Sequence, residues 1–240
     1  MRRLARRQKR KKSVVRTVLT TMFSVICLVW IYPVFAILIN SLKANQFITT
    51  KGVFELPTGK SFSGLANYLE SIFGMDFLKS FWYSLVISVS SVVLIMLCCS
   101  MAAWYIVRVN NYFSQVFYYL CVFSMVVPFQ MVMFTLANTA DKLHLNNPYN
   151  ICIIYLGFGA GLAVFMFSGF VRSIPLAIEE AALIDGCNPV QTFFRIILPI
   201  LKPTMISTAI LETMWVWNDY LLPTLVLDIK KYRTIPMAIQ

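Results

Sequence analysis

Glu180-Ala181-Ala182-Leu183-Ile184-Asp185-Gly186, with Ile196-Ile197-Leu198-Pro199 following after a nine-residue gap, is a polar, helix-forming island between long apolar runs. Ser173-Ile174-Pro175 marks a helix start, with Pro175 at the first helical position, where its missing N–H costs nothing. Gly186 ends that helix, because glycine alone takes the left-handed C-cap conformation without strain. Asn188-Pro189 repeats the start signal, and a second helix carries Phe193, Phe194, Ile196, Ile197 and Leu198 up to Pro199. The spacing therefore predicts two short helices around a sharp turn. Ala181 and Ala182 are small enough for a second backbone to approach closely, and Glu180 and Asp185 offer charge to basic groups of a soluble partner. A helical hairpin lying on a membrane surface with no partner is the alternative reading of the same residues.

The rest of the chain explains why such an island needs a reason. Of its 240 residues 59% are hydrophobic and 13% charged, with a mean hydropathy of +0.72. Soluble domains run near 45–50% apolar and about 25% charged, so composition alone indicates a membrane protein. Crossing the hydrocarbon takes about 20 apolar residues. No charge falls between Arg16 and Lys43, Lys79 and Arg108, Arg108 and Asp141 or, His144 aside, Lys142 and Arg172. A fifth apolar run, Thr204 to Leu227, carries the acids Glu212 and Asp219. Backbone groups in lipid must be satisfied within the segment, which makes these runs helices. The expected spans are about 18–40, 81–107, 113–138, 150–171 and 204–227, with a basic arm over 1–17 and the polar loop over 172–203. Pro33, Pro128 and Pro223 fall inside spans and predict kinks.

Most of the net charge of +11 sits before the first span, in Arg2, Arg3, Arg6, Arg7, Lys9, Arg10, Lys11, Lys12 and Arg16. The positive-inside rule and attraction to anionic lipid explain this tract without a nucleic-acid partner, and place the N-terminus in the cytoplasm. Alternating spans then put Arg108, Arg172, Arg195 and Lys202 inside and the loop 41–80 outside. That loop is too short for a domain, and Gly64 to Ile72 reads as a short helix on the membrane surface. The six cysteines form no CxxC pair and no Cys/His cluster, so they read as small buried hydrophobes rather than metal ligands.

Glu212 and Asp219 are seven residues apart, about two turns or roughly 10 Å, on one helix face. Acids at membrane depth point to a water-filled path or a partner subunit. Trp215-Val216-Trp217-Asn218-Asp219-Tyr220 joins aromatic platforms to hydrogen-bonding groups, a combination that suits sugars. An interfacial aromatic belt is the other reading and stays open. Gln130 is polar at membrane depth, lining a path or bonding a neighbouring helix. Gly157-Phe158-Gly159-Ala160-Gly161 lies inside a span with no strand before it, so it reads as close helix packing, not a nucleotide loop. Gly59-Lys60-Ser61 lacks the required earlier glycine, since position 54 is Phe, and forms no phosphate loop.

The E-A-A pattern ending in Gly186 and Ile196-x-Leu198-Pro199 resembles the cytoplasmic docking loop of ABC importer permeases, with Cys187 where that family usually has alanine. Trp217-Asn218-Asp219-Tyr220 and Pro128-Phe129-Gln130 resemble signatures of its carbohydrate subfamily, and Gly64-Leu65-Ala66-Asn67-Tyr68 and Arg233-Thr234-Ile235-Pro236 are further echoes. The resemblance covers most of the chain. It implies an all-α polytopic integral membrane protein with the ABC importer type I permease (MetI-like) bundle, acting as the second permease subunit of a maltose or multiple-sugar type importer. It further implies a second, different permease subunit, two ATPase subunits and an extracytoplasmic sugar-binding protein, which the tract Asp228 to Gln240 would approach. Glu180, Ala181, Ala182, Asp185, Gly186, Ile196, Leu198 and Pro199 would then dock the ATPase, and Gln130, Glu212, Trp215, Trp217, Asn218, Asp219 and Tyr220 would line the substrate path. ATP and Mg would sit on the partner ATPases, with no cofactor, catalytic residue or metal on this chain.

One departure stands out: five spans are visible, whereas the family has a sixth that returns the C-terminus inside. A chain truncated before that span is the expectation. A permease for a non-sugar solute such as a glycerol phosphate is the alternative. A secondary transporter would want internal repeats with broken helices, and no repeat is visible.

Overall fold

The computed structural model describes residues 2–50, 52–74 and 76–239, with side chains from Val15 onward. Met1, Lys51, Met75, Gln240 and the side chains of the basic residues Arg2 to Lys12 lie outside what is described. Apart from one isolated bridge between Lys43 and Phe62, the described residues form helices, turns and loops. They fall into two compact units, 1–75 and 76–240.

In the first unit, helix α1 (Arg2–Ser41) begins inside the basic tract and runs through Pro33. The loop after it is tied down by its own polar groups. Lys43 is fully buried, its Nζ donating to Asn40 Oδ1 at 2.9 Å and to the Gly52 carbonyl at 2.8 Å. Two short helices follow, α2 (Asn45–Ile48) and α3 (Ala66–Gly74). Asn67 on α3 donates to the carbonyls of Ser41 and Lys43 at 2.8 and 2.7 Å, and Tyr68 Oη lies 2.6 Å from Ser41 Oγ. The pair Asn67-Tyr68 thus closes the loop back onto the end of α1.

The second unit is built on α4 (Phe77–Val109) and α7 (Cys152–Val171), which pack along their lengths. The 33 residues of α4 reach about 50 Å at 1.5 Å per residue, well beyond the ~30 Å hydrocarbon thickness. Ile95, Met96, Cys99, Ala103 and Ile106 of α4 meet Ala163, Val164 and Phe167 of α7 in a buried seam. The face of α4 toward the protein also carries buried Ser80, Ser84, Ser88 and Ser91, small enough for helices to approach closely.

Between these two lie α5 (Tyr112–Ser124) and α6 (Phe129–Lys142); after α7 come α8 (Leu176–Ile184), α9 (Pro189–Thr192), a π turn (Phe193–Ile197), α10 (Leu198–Ile200), α11 (Lys202–Asn218), α12 (Leu221–Val226) and α13 (Ile235–Ile239). The last of these folds back on α4, where the Ile235 N–H donates to Ser84 Oγ at 2.8 Å and Tyr232 meets Tyr83 edge to face.

Three helices, Val15–Ser41, Phe77–Val109 and Cys152–Val171, are each long and apolar enough to cross a membrane. The remaining expected spans are not single rods. The expected span 113–138 is the pair α5 and α6, bent by 106°. The expected span 204–227 is α11 and α12, with Asp219 extended between them at ψ 122. Proline explains both breaks, because its ring crowds the carbonyl four residues earlier. Four before Pro128 is Ser124, the last residue of α5; four before Pro223 is Asp219. Pro199, expected to end the second loop helix, instead continues it into α10. Four before it lies Arg195, inside the π turn, where the widened backbone relieves the same clash.

Two smaller expectations are corrected. Pro175 caps α8 rather than opening it. Cys27 and Cys98 are exposed on helix faces; Cys99 is buried and the other three partly so, all as free thiols.

Candidate functional site

The loop between α7 and α11 is built almost wholly from local signals. At the end of α8 the Cys187 N–H bonds the Ala182 carbonyl at 2.9 Å and the Gly186 N–H bonds that of Leu183 at 3.0 Å. This Schellman pairing requires the left-handed backbone that Gly186 adopts at φ +82°. Two residues on, Asn188 and Gln191 form a reciprocal capping box: Gln191 N–H to Asn188 Oδ1 at 2.9 Å, and Asn188 N–H to Gln191 Oε1 at 3.0 Å. The turn between the helices is therefore fixed by four bonds that leave its outer side chains free.

Those outer side chains form a mixed surface. Glu180, Ala181, Asp185 and Pro199 are exposed, whereas Ile196 and Leu198 are half-buried. Ile184 is 87% exposed, and Leu183 and Val190 are exposed as well. Ala182 is buried, and Val171, Ile174, Phe193, Ile197 and Leu201 form the loop's own small core.

The strongest tether of the loop is one that sequence reading did not single out. Glu179, adjacent to Glu180, is buried; its Oε1 lies 2.7 Å from Arg108 and its Oε2 accepts from Trp104 Nε1 at 3.0 Å. Arg108 Nη2 also donates to the Ile174 carbonyl at 3.0 Å, at the entry to α8. Trp104 stacks at a tilt on Phe193, 5.6 Å between centroids. The far end of α4 thus grips both helices of the loop. Removing one member of such a pair strands a charge, a loss of about 3–5 kcal/mol. The available signal was Arg108 itself, a lone cation between two long uncharged runs, read above only as a marker of orientation.

The second group of residues converges elsewhere. A cavity of about 170 Å³ is lined by Phe129, Gln130, Phe158, Trp215, Asp219, Leu221 and Leu222. Asp219 Oδ1 accepts the N–H groups of Leu221 and Leu222 at 2.9 and 3.3 Å, capping α12, and Oδ2 accepts from Tyr155 Oη at 3.0 Å. Tyr155 also packs edge-on against Trp215 at 5.5 Å. Because α11 ends at Asn218, Asp219 does not share a helix face with Glu212, contrary to the two-turn spacing. Glu212 is 1% exposed, within reach of α7, and does not line this cavity. Trp217 meets Phe81 edge-on at 5.9 Å, Asn218 donates to the Met214 carbonyl within its own helix, and the Tyr220 carbonyl accepts from Thr224 Oγ1. Among the described residues no cluster of His, Cys, Asp and Glu has the grouping of a metal site.

Residues 95–239 match the family model for the binding-protein-dependent transport system inner membrane component. The chain is 39% identical over 230 residues to the probable starch degradation products transport system permease protein AmyC of Thermoanaerobacterium thermosulfurigenes, covering 96% of this chain and 82% of that one. It is 28% identical to the arabinooligosaccharides transport system permease protein AraQ of Bacillus subtilis, over 95% of this chain and 80% of the relative. In fold it is similar to a chain in the crystal structure of a bacterial ABC transporter involved in alginate import, with a TM-score of 0.76 at 24% identity, covering 96% of this chain and 79% of that one.

Proposed function

The chain belongs to the family of binding-protein-dependent transport system inner membrane components, and from that premise we propose that it is one of two different permease subunits of an ATP-driven oligosaccharide importer. It is a multi-pass membrane protein of a transport system. In this reading its N-terminus is cytoplasmic and two ATPase subunits hold ATP and Mg. An extracytoplasmic sugar-binding protein delivers the solute, and this chain forms half of the path. The sugar class follows relatives named for starch degradation products and arabinooligosaccharides, together with the aromatic and amide groups around Asp219.

The observation that carries the proposal is the pose of α8. A short helix with exposed Glu180, Asp185 and Ile184 is held rigidly at a Schellman turn and tethered to a long helix. Such a helix transmits force to the bundle when a partner grips it. The Gln130–Trp215–Asp219 cavity, at about 170 Å³, falls below the ~300–1,000 Å³ of ligand pockets. A sugar passes only when α6 and α12 move apart, which is the motion a docked ATPase would drive.

The experiment is co-reconstitution with the ATPase and the second permease. Sugar-loaded binding protein should stimulate ATP hydrolysis in the wild-type complex. Gly186→Pro forces φ from +82° to about −65°, and should abolish ATPase pull-down while membrane insertion persists. Unchanged pull-down by that variant, or transport without any ATPase, would overturn the reading.

A further inference from the structure

We propose that Arg108 and Glu179 are positioning residues that make α4 a direct mechanical output of the docking helix. The inference rests on the docking proposed for α8. The chain connects α8 to α7 on one side and, through α9 and α10, to α11 on the other. Along the chain α8 reaches α4 only by way of α7, α6 and α5, and Arg108 and Ile174 are 66 residues apart. The direct link runs from α4 side chains to one side chain and one backbone carbonyl of the loop.

Three features make this link stiff. The Arg108 guanidinium is mostly buried and bridges two points of the loop, Glu179 Oε1 at 2.7 Å and the Ile174 carbonyl at 3.0 Å. The second carboxylate oxygen is held by Trp104 Nε1 at 3.0 Å. The carboxylate is therefore clamped on both oxygens by residues one turn apart on α4. Such charge-assisted bonds fix orientation as well as distance. A displacement of α8 is thus passed to α4, and along its ~50 Å length to the end where Ser84 receives the backbone of Ile235. Glu180, its neighbour in sequence, is exposed and takes no part. Of the two adjacent carboxylates, one faces outward and the other ties the helix to the protein.

The test compares Glu179→Gln, Arg108→Gln and the double variant in the co-reconstituted complex. The readout is the ratio of ATP hydrolysis with sugar-loaded binding protein to that without it, per assembled complex. Single variants strand a buried charge and lower the yield. The double variant leaves no unpaired charge, so its yield returns toward wild type. Its stimulation ratio should still fall about fivefold or more, in the range of ordinary coupling between sites, with ATPase pull-down retained. A double variant stimulated as strongly as wild type would overturn the inference while leaving docking intact. Loss of ATPase pull-down by the double variant would also overturn it, because the pair would then shape the docking surface rather than transmit from it. Failure of the wild-type complex to respond would instead count against the docking reading itself.

Discussion

Gly161→Ala gives a sharp test of the packing on which the bundle depends. A Cβ at this position of α7 would fall 2.5 Å from Met125 Cγ, 2.7 Å from the Cys121 carbonyl oxygen and 3.0 Å from Ser124 Oγ. Ordinary contacts between carbon atoms sit near 3.5–4.0 Å. Methionine is flexible and can swing aside. The Cys121 oxygen cannot, because it belongs to the backbone of α5 and accepts from Ser124 Oγ at 2.6 Å. Accommodation requires α5 to shift off α7 near the break before α6. Overpacking of this kind costs about 1–3 kcal/mol. At about 2–4 °C per kcal/mol for a chain of this size, that is a fall of roughly 2–12 °C in thermal midpoint. Gly157 and Gly169 lie on the same helix with nothing within 4 Å of a built Cβ, so Gly157→Ala and Gly169→Ala should show no loss. Gly159→Ala should fall between, since its closest neighbour is the end of the Ile95 side chain at 2.7 Å. The assay is thermal unfolding of the detergent-purified protein followed by size-exclusion fluorescence. A Gly161→Ala midpoint equal to or above that of Gly157→Ala would refute the reasoning.

Three further substitutions test structural roles by the same thermal midpoint. Asp219→Ala removes the acceptor for two N–H groups at the start of α12 and for Tyr155 Oη; the midpoint should drop by the equivalent of about 0.5–2 kcal/mol, as for other lost helix caps. Asn218→Ala, whose amide bonds only within its own helix, should leave the midpoint unchanged, and equal losses in the two variants would contradict the capping role. Glu212 is buried with no hydrogen-bond partner for its Oε1; Glu212→Met should be neutral or stabilising, since exchanging a buried charge for an apolar side chain of similar volume removes a desolvation cost. A clear fall in midpoint for that variant would show that the carboxyl has a structural partner.

These positions also show what the sequence could and could not reveal. Spacing alone located the turn of the polar loop, because Gly186 and Asn188 act on neighbours within four or five residues. The assignment of glycine packing was right for Gly159 and Gly161, but periodicity could not tell them from Gly157, which faces open space. Pro128 and Pro223 marked where helices would break, while α1 runs unbroken through Pro33. At Asp219 the chain opens fully, whereas at Pro199 a π turn absorbs the strain. Charge-free runs concealed the 106° bend at Pro128. The Arg108–Glu179 pair was illegible for a different reason. Which of two adjacent carboxylates faces inward depends on how α8 is rotated against α4, and that angle is set by tertiary contacts rather than by spacing along the chain. The cavity that joins Gln130 to Trp215 and Asp219 likewise required α6 and α12 to meet, a contact between residues about 90 apart.

Ile184, the most exposed large apolar side chain of α8 at 87%, offers the most direct test of the central claim. In a Cys187→Ala background, Ile184→Cys would be exposed to a membrane-impermeant maleimide and the modified site located by mass spectrometry. The account predicts labelling in inverted vesicles, none in right-side-out vesicles, and protection when the ATPase is bound. Labelling from the outer face, or labelling as strong with the ATPase bound as without it, would contradict the account.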